Sequence, residues 1–258
     1  MTVVAKVCRS VVHYTPLLVV IALWEGLTRG GLLRPEWLPP FDRVILRWLA
    51  LVAHGDLLPH LGASLWREAV GFALSIVVGV PLGMSMAWVP AVHRFFAPLL
   101  ALTYPVPKQA LIPVFMIWLG LGHASKIAVI CVGCLIPIVI STCNGARGVD
   151  QYLLWSAINL GTSRQWLLWR VVLPAALPDI LSGVRIALSL SFILLVTSEI
   201  LAARAGLGFL TFFLGESGAY EEMCAVVLTV MLLGFLADRL YVRLMQRLLV
   251  WQPREGRW

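Results

Sequence analysis

Charge is what this 258-residue sequence has least of: Asp, Glu, Lys and Arg make up 13% of it, against about a quarter in soluble domains. A chain so poor in charge cannot clothe an ordinary water-facing surface. Acidic residues are scarcer than basic ones, 13 against 20, but the Lys and Arg residues are scattered between apolar runs and form no patch. Membrane orientation explains them more simply than nucleic-acid binding. No Gly-x4-Gly-Lys-Ser/Thr phosphate loop occurs, so the chain cannot hydrolyse ATP by that route. The histidines (His13, His54, His60, His93 and His123) are dispersed and make no metal-ligand or base–nucleophile spacing. Cys131 and Cys134 have the spacing of half a zinc site, with no second pair or nearby His to complete it. The odd total of 5 cysteines also argues against a disulfide framework. Neither a catalytic residue nor a metal site is expected. Lys6 and Arg9 precede an apolar stretch, as in a signal peptide, but Trp24, Glu25 and Gly26 follow it where a small-x-small cleavage site would stand, so an uncleaved span is expected.

Apolar residues, by contrast, are abundant, at 60%. A helical span of the bilayer takes about 20 of them. Six spans are expected, near residues 11–28, 64–89, 92–119, 126–142, 178–201 and 223–245, giving an all-α membrane protein with one domain over 1–258 and a core over about 60–250. The third is interrupted by Pro98, Pro105, Pro107 and Pro113. Proline removes a backbone donor and kinks a helix. In lipid the freed carbonyls need protein or a water-lined cavity, so Tyr104 to Pro113 is expected to face the protein interior or a pathway, or else to be a loop joining two short spans. The segment from Arg29 to Ala63 contains an apolar and basic stretch, Val44 to Ala53, that suggests a short interfacial helix. No internal repeat is evident.

With an even number of spans both termini share a side. Their side would hold Lys6, Arg9, Arg94, Arg147 and seven arginines from Arg164 to Arg257. The other would hold Arg29, Arg34, Arg43, Arg47, Arg67, Lys126 and Arg204. Eleven against seven places both termini in the cytoplasm. Lys108, Arg185 and Glu199 are the informative ionisable residues inside spans, where charge is costly and faces a partner or a wet cavity. Lys108 could offer positive potential to an anionic solute, pair with Glu199, or snorkel. Glu199 could gate the outer mouth or pair with Arg204. Arg185 is expected to be structural. Ser189 puts a hydroxyl on the same helix as Glu199, so Tyr104, Pro107, Lys108, Ser189 and Glu199 are the candidate pathway residues.

The segment from Gly148 to Leu177 is too polar and too punctuated for lipid. It suggests a short helix to Leu160, a break at Gly161, and a second helix from Ser163 to Val172, with Leu173-Pro174 and Leu177-Pro178 marking the return to the membrane. Gly161 suits a turn conformation that a side chain resists. Such an ordered amphipathic pair docks a soluble partner or rests on lipid headgroups.

This segment resembles the EAA loop of ABC importer permeases, which has Glu-Ala-Ala, a Gly six residues after the Glu, and an Ile-x-Leu-Pro ending. Here Trp155, Ser156 and Ala157 stand at the first three positions, Gly161 at the Gly, and Val171, Leu173 and Pro174 at the ending. Trp155 replaces the motif's carboxylate. Pro105-Val-Pro107, Leu111-Ile-Pro113, Ile117 to Gly122, Leu173 to Pro178, Gly183 to Leu188, Ser198-Glu199 and Gly206-Leu-Gly208 are similar to permeases for nitrate, sulfonate, taurine and bicarbonate. The resemblance runs from about Leu38 to Trp251.

It implies the type I (MetI-like) importer fold in a bacterial inner membrane. It further implies a second permease copy, two cytoplasmic ATP-binding-cassette subunits that hold ATP and Mg, and a periplasmic or lipid-anchored solute-binding protein. The ATPase would dock at a loop over about 148–177 through Trp155, Ser156, Ala157, Leu160, Gly161, Arg164, Leu173 and Pro174. Transport would be by alternating access, of a small organic or inorganic anion. A stand-alone secondary transporter or channel is the alternative; it would typically show paired broken segments in two halves, and only one broken segment is evident. A membrane enzyme would need clustered His, Asp or Glu, which the chain lacks.

Overall fold

The apolar runs become helices, and no strand occurs among the described residues. The structure, a computed structural model, describes residues 3–31 and 37–251, and the side chains of these except 3–14, 17, 164 and 165. Helix α1 covers Val3–Arg29, α2 Phe41–His54, α3 Leu57–Trp88, α4 Pro90–Thr103 and α5 Ile112–Leu119. They are followed by α6 His123–Arg147, α7 Gln151–Asn159, α8 Arg164–Leu167, α9 Leu173–Ala202, α10 Leu207–Glu216 and α11 Tyr220–Leu248. Among the described residues four helices are long and apolar enough to cross a membrane: α3, α6, α9 with the turn before it, and α11. The expected first span lies inside α1, where the side chains of Lys6 and Arg9 are outside the described set, as are residues Arg34, Arg254 and Arg257.

The centre of the fold is the packing of α6 between α3 and α9. α3 and α6 run parallel and close, because glycines on α3 meet bulky side chains on α6. A Cβ on Gly71 would stand 2.9 Å from Ile130, and one on Gly79 would stand 2.8 Å from Ile138. Gly83 repeats this against Thr142. In lipid, where neighbouring tails are as apolar as a leucine, such close backbone approach is the main source of helix association. α9 runs antiparallel to α6, with Gly145 of α6 against Asp179, and Gly183 of α9 against Ser141. Ile130, Cys134 and Ile138 of α6 and Val184, Ala187 and Leu194 of α9 fill the core between them. Cys134 acts as a packing residue whose thiol points at the Ala187 carbonyl, 3.4 Å away.

The expected third span is not a single rod. α4 and the arm from Lys108 to Leu119 meet at 97°. Pro105 and Pro107 supply no N–H at the corner, so the helix ends at Thr103 and restarts through a 3₁₀ turn, Lys108–Leu111. The opposite correction applies at the fifth span. The sequence suggests that Pro174 and Pro178 separate a loop helix from the membrane helix. Instead α8 runs through a π turn at Leu168–Val172 straight into α9. Pro174 supplies no N–H to this continuous helix, and the wider π turn just before it accommodates the ring.

α2 lies along the bundle. Leu46, Leu49 and Val52 are exposed on it, while Arg47 bonds Glu221 at 3.0 Å and Trp48 donates to Thr229 Oγ1 at 3.0 Å. It is thus fixed to α11. Trp24 of α1 donates to the Pro39 carbonyl just before α2, at 2.8 Å.

Candidate functional site: pathway corner, loop and buried polar cluster

Lys108 opens the 3₁₀ turn, which packs against α6 and α9. A Cβ on Gly133 would lie 3.6 Å from its stem. Gly133 is ten residues into α6, about 15 Å along it, so Lys108 sits at mid-depth. Its ammonium donates to the Thr103 and Tyr104 carbonyls at 3.2 and 2.5 Å, and lies 5.7 Å from the Tyr104 ring centre. It therefore closes the C-terminus of α4, a favourable place for a cation. Two of its three donors are occupied. Tyr104 and Pro107 are exposed beside it, and Ser189 is exposed on α9. The pairing with Glu199 that the sequence left open does not occur.

Glu199 is elsewhere, fully buried. Arg67 donates to it at 2.7 Å, Ser64 Oγ lies 2.8 Å from it, and the Gly208 amide donates at 2.9 Å. The last of these places the carboxylate at the N-terminus of α10, where negative charge is stabilised. Arg67 also donates to the Ala205 carbonyl at 2.7 Å and to His123 Nδ1 at 3.2 Å. Ser64 accepts from the Leu207 amide at 2.8 Å, and His60 from the Gly206 amide at 3.1 Å. Gly206, at φ +130°, passes its backbone against the Glu199 carboxyl, and a Cβ there would overlap it. Lys126, 1% exposed, donates to the Ala202 carbonyl at 2.6 Å and the Leu121 carbonyl at 2.8 Å. It caps α9 as Lys108 caps α4.

Two expectations are thereby corrected. Glu199 pairs with Arg67, not Arg204. Arg67 and Lys126 are buried in the fold and do not flank it as orientation charges, because each has carbonyls or a carboxylate to satisfy. Ser64 and Arg67 stand at i and i+3, on one helical face, and that spacing was the available signal. Arg185 is structural in the sense expected: it makes a two-point bond to Asp238 of α11, at 2.8 and 3.1 Å. Asp238 carried no signal of its own.

At the opposite end, α7 begins at Asp150, whose carboxylate accepts from the Tyr152 amide at 2.8 Å. No residue of α7 is buried. Tyr152 (74% exposed), Trp155 and Leu160 (86%) face outward, with the two rings 5.6 Å apart, edge to face. Ser156 is exposed and Ala157 half-buried. Gly161 makes the turn at φ +83°, a conformation that disfavours any side chain. Arg164 begins α8, and its side chain lies outside the described set. Leu173 and Pro174 open α9, with Leu173 packed on the central core.

Residues 79–250 match the family of binding-protein-dependent transport system inner membrane components. The chain belongs to that family. It is 34% identical to the taurine transport system permease protein TauC of Escherichia coli K12, over 91% of this chain and 87% of that one. It is 32% identical to the putative aliphatic sulfonates transport permease protein SsuC of Bacillus subtilis 168, over 91% and 85%. Its fold matches an inward-facing structure of the MetNI methionine ABC transporter at TM-score 0.64 and 19% identity, covering 74% of this chain and 95% of that one. The permease thus has the MetI-like fold. It is the non-catalytic, membrane-spanning subunit of an ABC importer in the inner membrane, and works with solute-binding and ATPase components.

Proposed function

We propose that the permease carries a small sulfonate-type anion inward, as two identical copies driven by two ATP-binding-cassette subunits. The observation that carries the solute class is the 32–34% identity, over about nine-tenths of the chain, to permeases named for taurine and aliphatic sulfonates. Lys108 supports it: a cation at mid-depth, on a corner of irregular backbone, with one donor left over. Irregular backbone is tolerated at membrane depth only against protein or a wet cavity. Tyr104, Pro107 and Lys108 accordingly face the pathway, and the second copy covers the exposed apolar surface of α4 and α5 around them, where Phe95, Leu102, Ile117 and Trp118 are each more than 60% exposed. Ser189 lines the same pathway. Glu199 belongs to the closed end that must part for solute to enter from the binding protein.

The ATPase side is the loop over about 148–177. Trp155, Ser156, Ala157, Leu160, Gly161 and Arg164 meet the partner, and Leu173 and Pro174 pass its movement into α9. ATP and Mg are held by the ATPases, the termini lie in the cytoplasm, and lipid surrounds the remaining apolar faces. The reading is tested in proteoliposomes holding the permease, its ATPase and its binding protein. ATP-dependent uptake of labelled taurine or a short alkanesulfonate is expected, competed by other sulfonates and weakened at least tenfold by Lys108→Gln. Uptake of none of these, with ATPase activity intact, would remove the sulfonate assignment.

A further inference from the structure

Glu68 of α3 takes no part in the cluster around Glu199 or in the pathway corner. It is eleven residues into α3, about 17 Å along it, and more than nine-tenths buried. Its Oε1 meets the hydroxyl of Ser191, itself fully buried on α9. That hydroxyl also lies 2.7 Å from the Leu188 carbonyl. A serine hydroxyl has one proton to donate, and here two acceptors stand before it. If the proton goes to one acceptor, the other contact needs a proton of its own, and a carbonyl has none to give. A carboxyl has one only as the neutral acid. The second oxygen of Glu68, Oε2, is buried with no hydrogen-bond partner.

The charged groups near Glu68 are committed elsewhere. Arg67 serves Glu199, Ala205 and His123, and Lys126 serves the Leu121 and Ala202 carbonyls. Among the described residues no ion pair includes Glu68. From α9 the titratable neighbour is Glu199, itself an anion, and from α6 it is the Cys134 thiol. α10 and α11 offer only Leu207, Val230 and Leu233 to the small cavity that Glu68 lines. An ionised carboxylate without a cation in such a place is far costlier than a neutral, hydrogen-bonded group.

We propose that Glu68 is a proton-binding site in the centre of the bundle: a neutral carboxylic acid that donates its O–H to Ser191 Oγ while Ser191 donates to the Leu188 carbonyl. It is a positioning residue, joining α3 to α9 in the middle of the bundle, and the inference stands on the hydrogen count whatever solute is carried. Isotope-edited infrared spectroscopy of the purified permease with carbon-labelled glutamate tests it at neutral pH. A protonated-glutamate carbonyl band that shifts on deuterium exchange and vanishes in Glu68→Gln is expected. A wild-type spectrum without that band, or a band that survives in Glu68→Gln, would overturn the assignment. Glutamine keeps a neutral donor in place, so Glu68→Gln should hold the wild-type melting temperature and uptake within about twofold, while Glu68→Ala loses uptake about tenfold. Glutamine as damaging as alanine would also overturn it.

Discussion

At one end of the bundle Glu199, Arg67 and Lys126 are buried, and nearly every polar atom around them has a partner from α3, α6, α9 or α10. At the other end α7 has no buried residue at all, and turns two aromatic rings and Leu160 to the outside. The first region spends its chemistry inside the chain, and the second holds its chemistry in reserve. A buried charge network is costly to break, because removing one partner strands the other. An exposed apolar knob is cheap to change in the isolated chain and costly to change in a complex, where hot spots concentrate on such residues. Stability and coupling should therefore separate along the length of the molecule.

The most damaging change should be Glu199→Ala. It leaves Arg67 buried without a carboxylate, at a cost of about 3–5 kcal/mol, and a steep fall in melting temperature in detergent is expected. A melting temperature within a degree or two of wild type would erase the contrast between the two ends. Gly206→Ala, which pushes a Cβ into the Glu199 carboxyl at φ +130°, should act in the same direction by about 1–3 kcal/mol. Gly161→Val strains a turn by about 1–2 kcal/mol, but a Cβ there would meet nothing within 4 Å. Membrane insertion and yield should survive it, while ATP-driven uptake falls at least tenfold. Uptake at the wild-type level would deny the loop its role. The smallest effect should come from Asp238→Asn. Its bond to Arg185 is half exposed, with the Arg185 side chain at 47%, and exposed ion pairs contribute about 1 kcal/mol or less.

The two regions were unequally legible in the sequence. The break in the loop was legible because its cue is local: Gly161 at a turn between two short helices. The positions of α3, α6, α9 and α11 were legible for the same reason, since hydrophobic runs need no knowledge of neighbours. The buried cluster was not. Glu199 could be located at a membrane end, but its partner lies 132 residues away on α3, and the packing of both α3 and α9 on α6 sets that register. Arg67 and Lys126 were counted as flanking charges because a span boundary drawn by hydropathy cannot tell an arginine beside a helix from one sealed inside a bundle. The continuity of α8 with α9 was hidden too: a proline marks a probable helix boundary, and only the π turn before it shows how the boundary was avoided.

The central claim, that the loop end is the permease's dock for an ATPase, is tested most directly by purification from mild detergent with the ATPase subunit co-expressed. The wild-type permease should carry the ATPase in one-to-one proportion. A permease bearing Trp155→Asp and Leu160→Asp should fold, melt as the wild type does, and come out without it. An ATPase that remains bound to that variant, or is lost instead from a well-folded permease altered only at the Glu199 end, would contradict the account.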